Sequence, residues 1–127
     1  MAEMITGSRK RARAKVMLKS GTGIIKINSR EPLKYFGRQD LVDIVHLPLK
    51  TAGVMGSIDV KVNVLGGGIS GQAGAVCHGI AKALVKYNRE LKSALKSAGL
   101  LKRDPREKER MKYGLAKRRK RFQFSKR

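Results

Sequence analysis

Apolar and polar residues alternate along two segments of the chain, a period of two that is typical of strands with one buried face. In the segment from Arg9 to Lys19, one side carries Ala12, Ala14, Val16 and Leu18. The other side carries Arg9, Arg11, Arg13, Lys15 and Lys19, with Met17 as the one break. In the segment from Ser57 to Leu65, aliphatic residues alternate with Asp59, Lys61 and Asn63. We predict a half-buried strand over each segment.

The region that follows the first predicted strand contains a turn signal, SGTG at 20–23. The next residues, IIKIN at 24–28, predict another strand. We expect this strand to pair with the first one as an antiparallel hairpin, because a short glycine-containing loop joins the two.

Two short helices are predicted between the hairpin and the strand that ends at Leu65. Ser29 is expected to cap a helix from Glu31 to Phe36, with Pro32 in its first turn, where proline is tolerated. Leucine, isoleucine and valine spacing predicts a second helix from Arg38 to His46, which we expect to end before Pro48. The aromatic pair at 35–36 is expected to lie in the core.

A longer helix is predicted in the second half of the chain. From Val76 to Ala98, apolar residues recur every three or four positions, and Gly99 is placed to close the helix. Cys77 lies early in this helix with no base beside it, and we interpret it as a packing residue rather than a nucleophile. Cys77, His46 and His78 do not have the spacing of zinc ligands, and no metal ion or cofactor is predicted.

A glycine-rich segment, GGGISGQAGA at 66–75, joins the last predicted strand to this helix. Glycine lets the backbone approach an anion closely, and a helix N-terminus offers free N–H donors, so the segment predicts a phosphate-binding loop. We expect a positive φ at Gly67, Gly68 or Gly71. Gly68→Val should then impair folding or incorporation into a larger assembly, whereas Ser70→Ala should be mild.

An ATP-dependent small-molecule kinase is an alternative interpretation of this glycine segment. The segment matches neither GxxxxGK[ST] nor GxGxxG, so a nucleotide fold has no motif to support it. The carboxylates that a kinase needs for metal binding and base catalysis are scattered along the domain. Contact with RNA phosphates, or tight packing, is favoured over ATP binding.

The last 26 residues, 102–127, differ in composition from the rest, and we predict a globular domain over 1–101 followed by an extended basic tail. The tail has 13 Lys plus Arg against 3 acidic residues and too few apolar residues to fold alone. The basic run KRRKR at 117–121 is followed by Phe122 and Phe124, and aromatic residues among cations suit base stacking or anchoring in an RNA crevice. A localisation-type basic patch is the alternative interpretation.

Charge sets the class of partner. The 127 residues have 30 Lys plus Arg against 9 Asp plus Glu, a formal net charge of +21 and an isoelectric point near 10.9. A polyanion would relieve the resulting self-repulsion, and neutralised phosphates release counterions, so nucleic acid is the expected partner. The single cysteine excludes an internal disulfide and fits a reducing compartment. With no signal peptide and no apolar run of membrane length, the chain is predicted to be cytoplasmic.

Four stretches of the chain, in order, resemble the small-subunit ribosomal protein nine family of the bacterial type. These stretches are TGSRKRARAKVMLKSGTGIIKIN, REPLKYFGR, DVKVNVLGGGISGQAGAVCHGIAKAL and LLKRDPREKERMKYGLAKRRKRFQFSKR. The glycine segment together with the terminal FSKR is the most diagnostic part. Two alternatives remain, the kinase and an RNA chaperone or ribonuclease accessory protein that binds RNA transiently.

The resemblance implies an α+β two-layer sandwich like the second domain of ribosomal protein five, with a left-handed βαβ crossover and a long basic C-terminal tail. It implies a structural role, not an enzymatic one, in the head of the small subunit, on the 3′ major domain of the rRNA and beside neighbouring head proteins. It also implies that Ser125, Lys126 and Arg127 lie near the anticodon stem-loop of the peptidyl-site tRNA. The predicted rRNA contacts are Arg9, Lys10, Arg11, Arg13, Lys15, Gly66, Gly67, Gly68, Gly71, Gln72, Lys117, Arg118, Arg119, Lys120, Arg121, Phe122 and Phe124.

Overall fold

In a computed structural model, which describes residues 4–123, one four-stranded sheet is covered on one face by helices. The strands are β1 (Met4–Arg9), β2 (Ala12–Ser20), β3 (Ile25–Ile27) and β4 (Ile58–Leu65). The helices are α1 (Pro32–Phe36), α2 (Gln39–Ala52), α3 (Ile69–Tyr87) and α4 (Lys92–Ser97). The architecture is mixed α and β in two layers, and we call the uncovered side of the sheet its open face.

The strand order is β1-β2-β4-β3, so the predicted hairpin between the segments 9–19 and 24–28 is wrong. β4 lies between β2 and β3, antiparallel to β2 and parallel to β3. The turn after β2 is held by β4 instead, because Oδ1 of Asp59 accepts the N–H groups of Thr22, Gly23 and Ile24, each at 3.0 Å. These bonds, with that from Ile24 the largest contribution, hold the pKa of Asp59 below its ordinary value.

The predicted strand over 9–19 is in fact two strands, because the chain reverses at Lys10 and Arg11. Lys10 takes a φ of 52°, and Arg9 pairs with Ala12 across the hairpin. Residues in register point to the same face of a sheet, so Arg9 lies on the helix side with Ala12. Placing Arg9 on one cationic face with Arg13 and Lys15 was therefore wrong. β1 was missed because its residues do not alternate in polarity.

The two short helices form, with changed boundaries. α1 has Pro32 at its start as expected, but Glu31 occupies the cap position, and neither it nor Ser29 caps the helix with its side chain. α2 does not end before Pro48 but continues to Ala52 and ends at Gly53 with a φ of 71°. Pro48 costs the helix one hydrogen bond, yet its ring is fully buried in the core, and that packing stabilises the continued helix.

The predicted long helix is interrupted. α3 begins at Ile69, inside the glycine segment, and ends at Tyr87. Asn88 then leaves the helical conformation, and its side-chain oxygen accepts the N–H of Glu90 at 3.0 Å. This bond starts a short 3₁₀ turn that leads into α4, and Gly99 closes the run with a φ of 75° as predicted.

The core lies between the helix side of the sheet and the apolar faces of α2 and α3. The fully buried side chains come from the sheet and from the helices that cover it, and the largest are Ile27, Leu49, Ile80, Leu84, Leu95, Val16, Val45, Val62, Val64 and Val76. Cys77 is buried, and burial raises the pKa of its thiol to about 11, which keeps it protonated. The ring of His78 hydrogen-bonds the Leu101 carbonyl, 3.3 Å away, and burial lowers its pKa. Both are packing residues.

Candidate nucleic-acid interface

Three segments that are far apart in the sequence meet at one cleft of about 560 Å³. One wall comes from the hairpin turn between β1 and β2, one from the glycine segment at the start of α3, and one from part of the tail. The lining residues are Lys10, Arg11, Gly67, Gly68, Ser70, Gly71, Glu107, Lys108, Glu109, Arg110 and Arg118. Basic side chains outnumber acidic ones in this set, so the cleft suits an anion.

The backbone of the glycine segment fits closely against the hairpin turn. Gly66 and Gly67 have φ values of 81° and 62°, in the region that favours glycine. A Cβ at Gly66 would lie 2.7 Å from the carbonyl oxygen of Arg11. Gly68 is the N-cap of α3, and no side chain caps this N-terminus, so the first N–H groups of the helix have no capping partner.

A positive φ was predicted at Gly67, Gly68 or Gly71, and of these three residues Gly67 has it. Gly68 has a φ of −91°, and a Cβ there would meet nothing within 4 Å, so Gly68→Val should be mild rather than disruptive.

Gly66→Val should instead destabilise the fold by about 2–4 kcal/mol, through left-handed strain and a clash with the Arg11 carbonyl. Urea unfolding of the two variants distinguishes these sites, and equal stabilities would show that the loop moves freely away from the turn.

Gln72, a predicted rRNA contact, has its side chain inside a hydrogen-bond network. Its Oε1 accepts the Tyr35 hydroxyl at 2.7 Å, and its Nε2 donates to the Gly66 carbonyl at 3.0 Å. Asn28 joins this network through the Tyr35 hydroxyl and bonds the backbone of Val64 in β4. The amide of Gln72 therefore fixes the glycine segment in position, a role that sequence spacing could not reveal.

The start of the tail lies across the edge strand β1. Arg9 donates to Oδ2 of Asp104 at 2.8 Å, on the helix side, while Nε of Arg103 donates to the Ser8 hydroxyl at 2.9 Å. Arg106 forks onto the same Asp104 carboxylate, and this hydrogen bonding holds the pKa of Asp104 well below its usual range. Arg9 is thus separated from the cleft and paired with an acid.

The rest of the described tail has no helix or strand, but it turns back on itself. Leu115 and Arg121 form an isolated antiparallel bridge, and the Ala116 N–H donates to the Lys120 carbonyl at 2.8 Å. Glu109 organises this turn, because its carboxylate pairs with Lys112 and Arg119 and its carbonyl accepts from Arg118. Within the 117–121 run, Lys117, Arg119, Lys120 and Arg121 are exposed, next to an exposed Phe122.

The structure thus divides the predicted contacts among several places. Lys10, Arg11, Gly67, Gly68, Gly71 and Arg118 share the cleft, whereas Arg13 and Lys15 lie on the open face of the sheet. Sequence reasoning missed Lys108 and Arg110, which also line the cleft, although the excess of cations in the tail was a signal. Phe124, Ser125, Lys126 and Arg127 lie outside the described residues.

No helix within residues 4–123 is long and apolar enough to cross a membrane. Over the same residues, no group of three or more His, Cys, Asp and Glu side chains is arranged to hold a metal ion.

Comparison with known proteins gives one consistent result. A family model described as Ribosomal protein S9/S16 matches residues 7–127. The small ribosomal subunit protein uS9 of Syntrophobacter fumaroxidans is 52% identical over 122 residues, which cover 96% of this chain and 94% of that protein. The uS9 proteins of Anaeromyxobacter sp. strain K and Anaeromyxobacter dehalogenans are each 54% identical over 126 residues, or 99% of this chain and 97% of theirs. The chain therefore belongs to the ribosomal protein S9 family, as a structural constituent of the small subunit of the cytoplasmic ribosome and not an enzyme.

Proposed function

We propose that the protein binds small-subunit rRNA in the head of the subunit, on the 3′ major domain, and that its C-terminus reaches the anticodon stem-loop of the peptidyl-site tRNA. The observation that carries the rRNA part is the cleft, because it brings cations of the hairpin turn and the tail to the free N-terminus of α3. Neighbouring head proteins are the other expected partners.

In this proposal the cleft binds the sugar–phosphate backbone and reads no sequence. Lys10, Arg11 and Arg118 neutralise phosphate charge, while the glycines let a phosphate approach the backbone N–H groups of α3. Arg13 and Lys15 extend the contact onto the open face of the sheet. Arg9 and Gln72 act indirectly, since they hold the tail and the glycine segment in position.

The fold and the chain organisation carry proposals of their own. The parallel pair β3 and β4 is joined through α1 and α2, which is the βαβ arrangement that the ribosomal protein five type requires. We assign this crossover the left-handed sense of that type. We also propose a domain over 1–101 and a tail over 102–127, whose first residues remain attached to β1 through Asp104.

The rRNA proposal predicts a steep salt dependence. Binding to a transcript of the 3′ major domain should weaken as salt rises, with log K falling by about 0.7–0.9 per phosphate contact for each log unit of salt. Equilibrium filter binding between 50 and 400 mM salt measures this slope. A nearly flat dependence would show that phosphate neutralisation does not drive the interaction.

The tRNA proposal concerns the last three residues. Deleting Ser125, Lys126 and Arg127 should leave subunit assembly intact, because the domain and the 117–121 run still bind rRNA. It should weaken retention of every tRNA species at the peptidyl site by about 1–2 kcal/mol, the loss expected for two charge-assisted contacts. Arg127→Lys should have a smaller effect than Arg127→Glu, since charge matters more than fork geometry at a chain end. The measurement is the rate of tRNA dissociation from purified small subunits. Equal rates for full-length and truncated protein would mean that the tail contacts rRNA and not tRNA.

A further inference from the structure

The open face of the sheet carries a set of cations that pairing register places side by side. Lys26 of β3 is in register with Lys61 of β4, which is in register with Met17 of β2. In the next row, Asn63 stands beside Lys15, and in the following row Leu65 stands beside Arg13. Lys19 completes the set at the other end of β2, and the five basic residues are all exposed.

The charge on this face is not balanced within the protein. Like charges directly opposite each other on neighbouring strands, such as Lys26 and Lys61, destabilise a sheet. Among the described strand residues of the open face, Asp59 is the single acid, and its Oδ1 accepts three backbone N–H groups. The repulsion between the strands is therefore a cost to the free protein that an anionic ligand would remove.

The uncharged residues of this face indicate which anion fits. Its described strand positions include no Phe, Tyr or Trp, so the face lacks the platforms on which single-stranded bases stack. A shallow cleft of about 310 Å³ runs among Lys19, Lys26 and Lys61, with Met17 and Ile24 in its lining. Duplex RNA presents phosphates, ribose edges and a wide minor groove, and is recognised by shape without base stacking.

We propose that this open face is a second RNA-binding surface, which binds the backbone of duplex RNA through Arg13, Lys15, Lys19, Lys26 and Lys61. The proposal rests on the rRNA-binding function above and adds a ligand class and three residues, Lys19, Lys26 and Lys61. It gives the protein two RNA surfaces, the cleft and the open face, which meet at the hairpin turn between β1 and β2.

The test neutralises the opposed pair. Lys26→Gln/Lys61→Gln should weaken binding to the 3′ major domain transcript about tenfold or more at 0.1 M salt, and should reduce the slope of log K against log salt by about 1.8. The same variant should unfold at the wild-type temperature or above it, because the repulsion between the lysines is gone. A merely structural role for these residues would lower the unfolding temperature instead.

The matched control is Lys92→Gln/Lys96→Gln, which removes the same charge from exposed positions of α4, on the helix side of the sheet. If the two double variants bind the transcript equally well, the open face is not an RNA surface. The rRNA proposal would still stand in that case, because the wild-type protein binds. If wild-type protein itself shows no salt-dependent binding, the rRNA proposal fails first. Competition with a perfect RNA duplex should displace the transcript from wild type more than from Lys26→Gln/Lys61→Gln, and a single strand that competes equally well would overturn the assignment to duplex RNA.

Discussion

Replacing Gly7 with alanine should destabilise the protein by about 3 kcal/mol or more, although alanine is the better residue for a strand. Gly7 lies in β1 directly against α3, where a Cβ would overlap the backbone nitrogen of Gly79 and the carbonyl oxygen of Ala75. Backbone atoms cannot turn aside as a side chain can, so β1 and α3 would have to separate. Gly79 is restricted in turn, since a Cβ there would lie 2.7 Å from Cγ2 of Val16 in β2.

Equilibrium urea unfolding measures this loss, with Gly68→Ala as the matched control. Gly68 has ordinary extended backbone and open space around its missing Cβ, so alanine there should be neutral or slightly stabilising. Strand propensity alone predicts that Gly7→Ala stabilises the protein. A variant as stable as wild type would mean that β1 and α3 are not in backbone contact.

Neutralising the exposed cations of the tail turn should produce the largest loss of RNA affinity. Lys117, Lys120 and Arg121 are exposed, whereas Arg118 and Arg119 bond to Glu109 and are left in place to preserve the turn. Replacing those three residues with Gln should weaken binding to the 3′ major domain transcript by about 500-fold at 0.1 M salt, since each phosphate contact contributes a further factor of about eight at that concentration. The slope against log salt should become shallower by about 2.1–2.7.

The control variant replaces Lys34, Lys50 and Lys92 with Gln, which removes the same charge from the outer surfaces of α1, α2 and α4. It should retain most of the affinity and lose only the long-range attraction that any cation contributes. Equal losses in the two variants would mean that net charge, rather than the tail as a binding segment, determines affinity. If the tail variant binds RNA as tightly as the wild-type protein, the tail cations do not contribute, and the cleft and the open face of the sheet bind the RNA alone.

Local pattern predicted elements well where burial follows a single period. The segment 57–65 alternates strictly and contains β4, and the cationic positions Arg13 and Lys15 are exposed beside buried Ala12 and Ala14, as predicted. Gly99 ends the last helix as expected, because a left-handed residue after a helix favours glycine. The function was predicted from the likeness of the GGGISGQAGA segment and the FSKR terminus to one family, because hydrophobic periodicity gives no information about function.

Long-range pairing decided the rest. The run from Arg9 to Lys19 is consistent with one strand, and only the contact of β1 with α3 and β2 shows that it breaks at Lys10 and puts Arg9 on the opposite face. α2 continues past Pro48 because the proline ring is buried, and the free energy gained by that burial arises only once the core exists. The sequence by itself determined the charge, the strand periods and the family. The tertiary structure alone decided that the hairpin turn, the glycine segment and the tail share one cleft, because residues separated by a hundred positions are brought together by packing and not by any local preference.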